Sequence, residues 1–396
     1  MVAAAPQIRV LGSRHAFNAI TDAEELVSLD GLPREVTVDG ASVTCCGAVR
    51  YGELAAALAP HGLALHNLAS LPHIAVAGAI ATATHGSGSQ SGNLATAVRG
   101  LELVTSDGSL VRVARGEPDF DGMVVGLGAL GAVTRVTLDV EPAYQVAQRV
   151  YEGLTWDALH AEFDAIMAAG HSVSVFTHWG DAAGSAWVKR RDTDFPERVA
   201  GAWPATVERH PIVGLDPVNC TQQLGVPGGW SDRLPHFRMG FTPSAGAEIQ
   251  SEYLLPRAHA GAAIEALRGC AAAIDPVLQV SEIRTVASDD LWMSPEYGRE
   301  TVAVHFTWER DPEAVQRAVA VVEDALADLN PRPHWGKLFV TAPPYERGAA
   351  FAALASRLDP RGAFRNAWLE RHVIGSADGN PDRRPHPALR RLHPAP

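Results

Sequence analysis

At 396 residues the chain exceeds what one hydrophobic core usually organises, so two domains sharing a cleft are expected. A hydrophobic fraction of 46% and a charged fraction of 20% are ordinary globular values and exclude a disordered, fibrous or low-complexity protein. The formal charge of -12 comes without a dense Lys/Arg stripe, which excludes a nucleic-acid partner because phosphate neutralisation needs clustered cations.

The segment 1–6 is apolar but has no basic start and no long hydrophobic run, and Arg9 interrupts the next apolar stretch. Neither a signal peptide nor a membrane anchor is expected, and the predicted location is cytoplasmic. Over 8–142 the pattern is short apolar strands broken by Gly-rich turns, with one clear helix over 52–60 ended by Gly62. The four cysteines include the neighbours Cys45 and Cys46 and form no CxxC pair, so reduced, mostly buried thiols and no metal site are expected. A sequon at Asn219-Cys220-Thr221 lacks the secretory context to use it.

After residue 142 helices and strands alternate as far as the 330s. Two of these strands carry chemistry. In 281–286, period-two alternation points Glu282 and Arg284 the same way, with Ile283 opposite. In 302–309, His305, Thr307 and Glu309 share one face, and Val302, Val304, Phe306 and Trp308 share the other. The intervening loop, with Trp292, Pro295 and Gly298, is long enough for a lid or rim. Asp311-Pro312 then opens a helix in which Val315, Val319, Val322, Leu326 and Leu329 form one apolar face. The end of the chain, 383–396, reads as a solvated tail.

Among the motifs, Gly126-Leu127-Gly128-Ala129-Leu130-Gly131 is formally a G-x-G-x-x-G, but a Rossmann turn must open a helix. The residues 133–140 alternate like a strand instead, so a nicotinamide site is rejected. Two other Gly-rich segments suit a diphosphate: the turn from Gly12 to His15, and the long, almost uncharged loop over 71–88, read as exposed amides and hydroxyls. Ordinary turns explain either segment equally well on composition. His15 follows the first turn, where an imidazole can meet a cofactor, and His85 is its rival. Lys337, in His334-Trp335-Gly336-Lys337, is one of only two lysines, the other being Lys189, which favours a function for it. A cation beside an electron-accepting ring stabilises the anion formed on reduction; the plain alternative is an ion pair at a strand edge.

With these segments assembled, the chain resembles the vanillyl-alcohol-oxidase superfamily of flavoproteins and, within it, the alditol oxidases. The resemblance runs over 9–366 and is most specific at RVLGSRHAFN (9–18), LHNLASLPHIAVAGAIATATHGSG (65–88), EIRTV (282–286), HFTW (305–308) and HWGK (334–337). It implies an α+β protein of two domains, a PCMH-type FAD-binding domain over 1–142, with 338–396 returning to it, and an α/β substrate-capping domain over 143–337. It implies FAD tethered covalently through His15. The implied cofactor contacts are Gly12, Ser13, Arg14, His15, Ala16, Ser70, Ala75, Gly78, Thr82, Thr84, His85, Val133 and Asn366. Glu282, Arg284, His305, Thr307 and Lys337 are implied to hold and oxidise a polyol, with His305 or a neighbour expected to take the hydroxyl proton, Ser70 also touching the polyol and Ala69 near the flavin face. The expected reaction is hydride transfer from a primary alcohol of an alditol to flavin, with reoxidation by oxygen to hydrogen peroxide, in a monomer.

The chain also departs from the family pattern. It starts shortly before the first Gly-rich turn, where relatives usually carry a further segment, so the flavin domain is expected to lack its first element. Arg14 stands where Gly is common, and Ala75 where a Ser hydroxyl is frequent. The rival functions are a sugar-1,4-lactone oxidase or dehydrogenase, and a carbohydrate-binding protein that has lost its flavin.

Overall fold

In a computed structural model, residues 1–240 and 248–375 are described; the tail at 383–396 lies outside them. β1 (Arg9–Leu11) and β2 (Leu26–Ser28) pair in parallel. β3 (Val36–Asp39), β4 (Ser42–Cys46), β6 (Val98–Val104), β7 (Leu110–Ala114) and β8 (Ala132–Asp139) make an antiparallel sheet ordered β3-β4-β8-β6-β7. β5 (Leu63–Ala64) pairs with β9 (Glu141–Pro142).

The second sheet is larger. It contains β10 (Gln145–Leu154), β11 (Ser172–Thr177), β12 (Gly184–Arg190), β13 (Trp203–Pro204), β14 (Gly228–Gly229), β15 (Ile249–Pro256), β16 (Leu278–Val286), β17 (Thr301–Trp308) and β18 (Arg332–Pro333). Its order is β13-β10-β12-β11-β16-β17-β15-β18, with β14 beside β10, and each pairing is antiparallel.

One face of the large sheet is covered by helices. The helix Pro312–Leu326 begins where the Asp311 carboxylate accepts from the Ala314 N–H at 3.0 Å, as its sequence predicts. Val315, Val319, Val322 and Leu326 are buried on the face expected, and Leu329 is half-buried one turn on. They share one apolar core with the apolar side of β17, where Val302, Val304, Phe306 and Trp308 are fully buried. Burial of such a side chain contributes roughly 1.5–3 kcal/mol. The opposite face of the sheet is left for polar residues.

The early helix is Tyr51–Leu58, extended by a 3-10 turn and closed by Gly62 in the left-handed region at φ 63°. The turn over 126–131 runs into β8, not into a helix, which removes the Rossmann reading. Its close approach is to Arg9. That buried guanidinium donates to the carbonyls of Gly128 (2.7 Å), Phe364 (2.6 Å), Ile20 (2.6 Å) and Leu127 (2.8 Å), so burying the charge leaves few donors unmet. Gly128 takes φ 65°, and a Cβ there would stand 3.0 Å from the guanidinium. The clasp fixes β1 and thus the turn that follows it.

Three expectations change. The stretch 71–88 is not all loop: Val76–Ala81 is a helix with Val76, Ala79 and Ile80 buried, because alanine favours helix and the apolar spacing is helical. Glu309 lies beyond the end of β17 and is exposed, so it does not share the face of His305 and Thr307. The loop over 287–300 is an internal clasp instead of a lid. Met293, Ser294 and Glu296 are buried, Trp335 donates to the Met293 carbonyl at 2.7 Å, and the Asn93 amide bridges Asp289 (2.7 Å) and Glu296 (3.1 Å). Cys45, Cys46 and Cys220 are buried and Cys270 half-buried, all free thiols as expected.

Candidate active site and related proteins

Strand register assembles the polar face. Glu252 of β15 opposes His305 of β17, which in turn opposes Glu282 of β16. Directly opposed side chains on one face sit roughly 4.5–5.5 Å apart. Arg284 and Thr307 are two residues along their strands and therefore on the same face. Lys337 reaches this row because the turn after β18 runs along the edge of β15: the His334 N–H donates to the Glu252 carbonyl (3.0 Å) and the Leu338 N–H to that of Gln250 (2.9 Å).

Glu252 is the hub, and sequence reasoning missed it. Its carboxylate, 1% exposed, accepts from Lys337 Nζ at 2.7 Å and from Arg284 Nη2, and lies 3.3 Å from His85 Nε2. Burial alone would raise its pKa; the Lys337 and Arg284 cations and His85 outweigh burial and hold it well below the ordinary range. The same holds for Glu282, where burial is overcome by Arg284 and His236. Two anions thus face two cations in a dry row. The signal was available: alternation in 249–256 points Gln250 and Glu252 away from Ile249, Ser251 and Tyr253.

The hydrogen bonds also fix proton positions. An ammonium only donates, so Lys337 Nζ, 2.7 Å from His305 Nδ1, donates to a ring nitrogen that carries no proton. The imidazole proton is then on Nε2, facing Thr307 Oγ1 at 3.2 Å. Burial and the Lys337 charge push the His305 pKa down to about 3. Lys337 spends two of its three protons on Glu252 and His305, and one remains.

The Gly-rich turn joins the same place. The Phe17 N–H donates to the Gly336 carbonyl at 2.8 Å, and the Asn18 amide to the carbonyls of Trp335 (2.8 Å) and Lys337 (2.7 Å). His15 is therefore three residues from the Asn18 bond that holds the Lys337 turn. The Ala75 N–H donates to Ser13 Oγ at 3.0 Å, and a Cβ on Gly12 would stand 3.9 Å from Gly78 Cα. Gly12, Arg14, His15, Ala16 and Gly78 are exposed, and Thr82 and Thr84 are half-exposed with hydroxyls 3.2 Å apart. Arg14 has φ 61°, which costs a residue with a Cβ roughly 1–2 kcal/mol and explains why glycine suits this position.

At its other end the second Gly-rich segment is sewn to β16, with the Gly88 N–H donating to the Thr285 carbonyl at 2.8 Å. Gly86 admits no side chain, since a Cβ would stand 2.4 Å from the Leu68 carbonyl. His85 is buried, and its Nδ1 lies 2.8 Å from the Gly86 carbonyl, so it faces Glu252 and not the open turn. Ser70 is half-buried beside buried Ala69, and its carbonyl accepts from the His236 N–H at 3.2 Å. The Val133 carbonyl lies 2.4 Å from where a Cβ on Gly47 would be. Asn366 spends its amide on the carbonyls of Ala19, Ile20 and Asp22 and its oxygen on the Leu369 N–H, so it braces the segment after His15.

Bare backbone at Gly12 and Gly78, half-exposed hydroxyls at Thr82 and Thr84 and an exposed imidazole fit a flavin dinucleotide. The comparisons agree. Residues 2–114 match the family described as FAD binding domain, and residues 246–372 match D-arabinono-1,4-lactone oxidase. The solved structures of cholesterol oxidase from B. sterolicum (TM-score 0.70, 15% identity, 93% of this chain and 90% of that one) and glucooligosaccharide oxidase from Acremonium strictum (TM-score 0.69, 15% identity, 93% and 85%) share the fold. The fold, the matched families and a relative 52% identical to this chain define an FAD-dependent oxidoreductase.

Two relatives narrow the class. L-gulono-1,4-lactone dehydrogenase of Mycobacterium tuberculosis is 29% identical over 396 residues, covering 93% of this chain and 90% of that one. Alditol oxidase of Streptomyces sp. is 52% identical over 367 residues, covering 90% of this chain and 88% of that one. The chain belongs to the alditol oxidase family. Among the described residues no helix is long and apolar enough to cross a membrane.

Proposed function

We propose that this chain oxidises a primary alcohol of an alditol such as xylitol or sorbitol, passing the electrons to oxygen. The observation that carries the reading is the Arg284–Glu252–Lys337 row, two fixed cations with a spare N–H on the sheet face that also carries Glu282 and Thr307. We assign residues 1–142 and the return from 338 to the flavin domain and 143–337 to the substrate cap. Gly12, Ser13, Arg14, Ala16, Ser70, Ala75, Gly78, Thr82, Thr84 and the Val133 backbone would hold FAD, with His85 behind them and His15 as its covalent anchor. When bound, FAD supplies the hydride acceptor.

Lys337 and Arg284 stabilise the negative charge that builds on the substrate oxygen as its hydroxyl proton leaves, charge that then forms the C=O bond as hydride departs. Glu282 and Thr307 bind further hydroxyls, and such a site rejects alcohols that lack them. His305 serves as the acceptor that aims the Lys337 ammonium. With Nδ1 engaged and a pKa pushed to about 3, it is poorly suited as the proton acceptor. Two cations lower the pKa of the hydroxyl they face so that its proton leaves readily, and proton and hydride together reach oxygen as hydrogen peroxide.

A visible flavin spectrum and peroxide release across a panel of alditols and aldonolactones test the reading. Turnover of alditols is expected; turnover of aldonolactones alone would assign the chain to the lactone oxidases, and a colourless protein supplied with FAD would defeat both. For the tether, acid precipitation should leave yellow colour with the parental polypeptide and release it from His15→Ala; colour retained by the variant would remove His15 from the linkage.

A further inference from the structure

Lys337 belongs to the active-site row, whereas the chain's other lysine, Lys189, is buried two strands from Glu282. Lys189 of β12 opposes Ser172 of β11, and Ser174 opposes Arg284 of β16, so Lys189 stands on the polar face of the large sheet. Its ammonium meets three acceptors: the carbonyls of Leu234 and, at 3.1 Å, Pro235, and His236 Nδ1 at 3.4 Å. Burial pulls its pKa down to about 7, against the Glu282 charge, but three acceptors for three donors favour the charged form.

His236 Nδ1 then carries a lone pair, and the ring proton sits on Nε2, 2.9 Å from Glu282 Oε1. Phe176 and Trp187 hold the ring edge-on, with centroids 5.2 and 5.9 Å away. The main chain of the same residue donates to the Ser70 carbonyl at 3.2 Å. One residue thus touches both a proposed hydroxyl-binding carboxylate and a proposed flavin-side loop.

We propose that His236, its tautomer set by Lys189, is a positioning residue for polyol recognition: it fixes Glu282 so that the substrate meets a carboxylate of one orientation, in register with Ser70. The inference rests on the reading that Glu282 binds substrate hydroxyls. A preorganised acceptor binds more tightly because less ordering remains to be done when the substrate arrives. Neither Lys189 nor His236 shows this in the sequence, where they are 47 residues apart.

Steady-state kinetics with xylitol on flavin-loaded His236→Phe and Lys189→Met should show KM raised about tenfold, the worth of a hydrogen bond to a charged group, with a much smaller fall in kcat. His236→Gln, which keeps an N–H donor near the Nε2 position, should recover most of the parental KM. KM unmoved in both disruptive variants, or a gain in neither KM nor melting temperature on going from Phe to Gln, overturns the inference. A second measurement needs no variant: in parental holoenzyme carrying 15N-histidine, the His236 signal should report the Nε2–H tautomer, and an Nδ1–H form overturns the assignment. A parental protein with no turnover of any alditol defeats the proposed function instead, and the tautomer result then stands apart from it.

Discussion

Lys337→Met is expected to slow anaerobic reduction of the bound flavin by xylitol by roughly 10²–10³-fold, the usual cost of deleting one preorganised charge-stabilising donor. Methionine keeps the length of the side chain and removes its charge. The third N–H of the ammonium is lost to the substrate oxygen, while the Glu252 carboxylate keeps Arg284. Stopped-flow absorbance of the flavin gives the rate directly, with an unchanged visible spectrum and melting temperature as controls. A reduction rate equal to the parental one would take Lys337 out of the chemistry. A rise in KM at constant kcat would recast it as a binding group that acts equally on ground and transition states.

Glu252→Gln should be the most damaging single change to the fold of the site. The variant leaves buried Arg284 and half-buried Lys337 with Glu282 as the remaining carboxylate of the row, and breaking one partner of a buried ion pair costs roughly 3–5 kcal/mol. Guanidinium unfolding of the holoenzyme should show that loss, and a stability within about 1 kcal/mol of the parental value would mean the row is solvated or loosely coupled. Its pH dependence gives a second reading. The folded carboxyl lies well below an unfolded value of about 4.3, so its contribution is complete above that value and is lost as pH falls toward the folded one. Parental stability should therefore decline with acid below about pH 4, and the variant should lose part of that decline.

The first of these residues is legible in the sequence, and the second is not. Lys337 stands out because the chain has only two lysines, and the HWGK turn marks its place. Glu252 is one of 45 acidic residues, in a strand whose alternation gains meaning only once its neighbours are known. The helix Val76–Ala81 is hidden for a different reason: glycine and alanine in a long uncharged stretch suggest a loop, although alanines at helical spacing bury one face. Glu309 falls on the wrong face when a two-residue period is extended past the point where the strand ends, at Trp308.

Period and composition, which are local, determined the two polar strand faces, the helix opened by Asp311-Pro312, the strand after Gly131 that removes a Rossmann turn, and the motifs that mark a flavoprotein. Only the tertiary structure decided which charges meet. Whether Glu252 opposes His305, which nitrogen of His305 holds its proton, and which carbonyls the Asn366 amide meets all depend on register and on contacts between segments far apart in the chain. Alternation says which way a side chain points. It does not say what another strand brings opposite, and in a dry site the opposing charge is what sets protonation and strength.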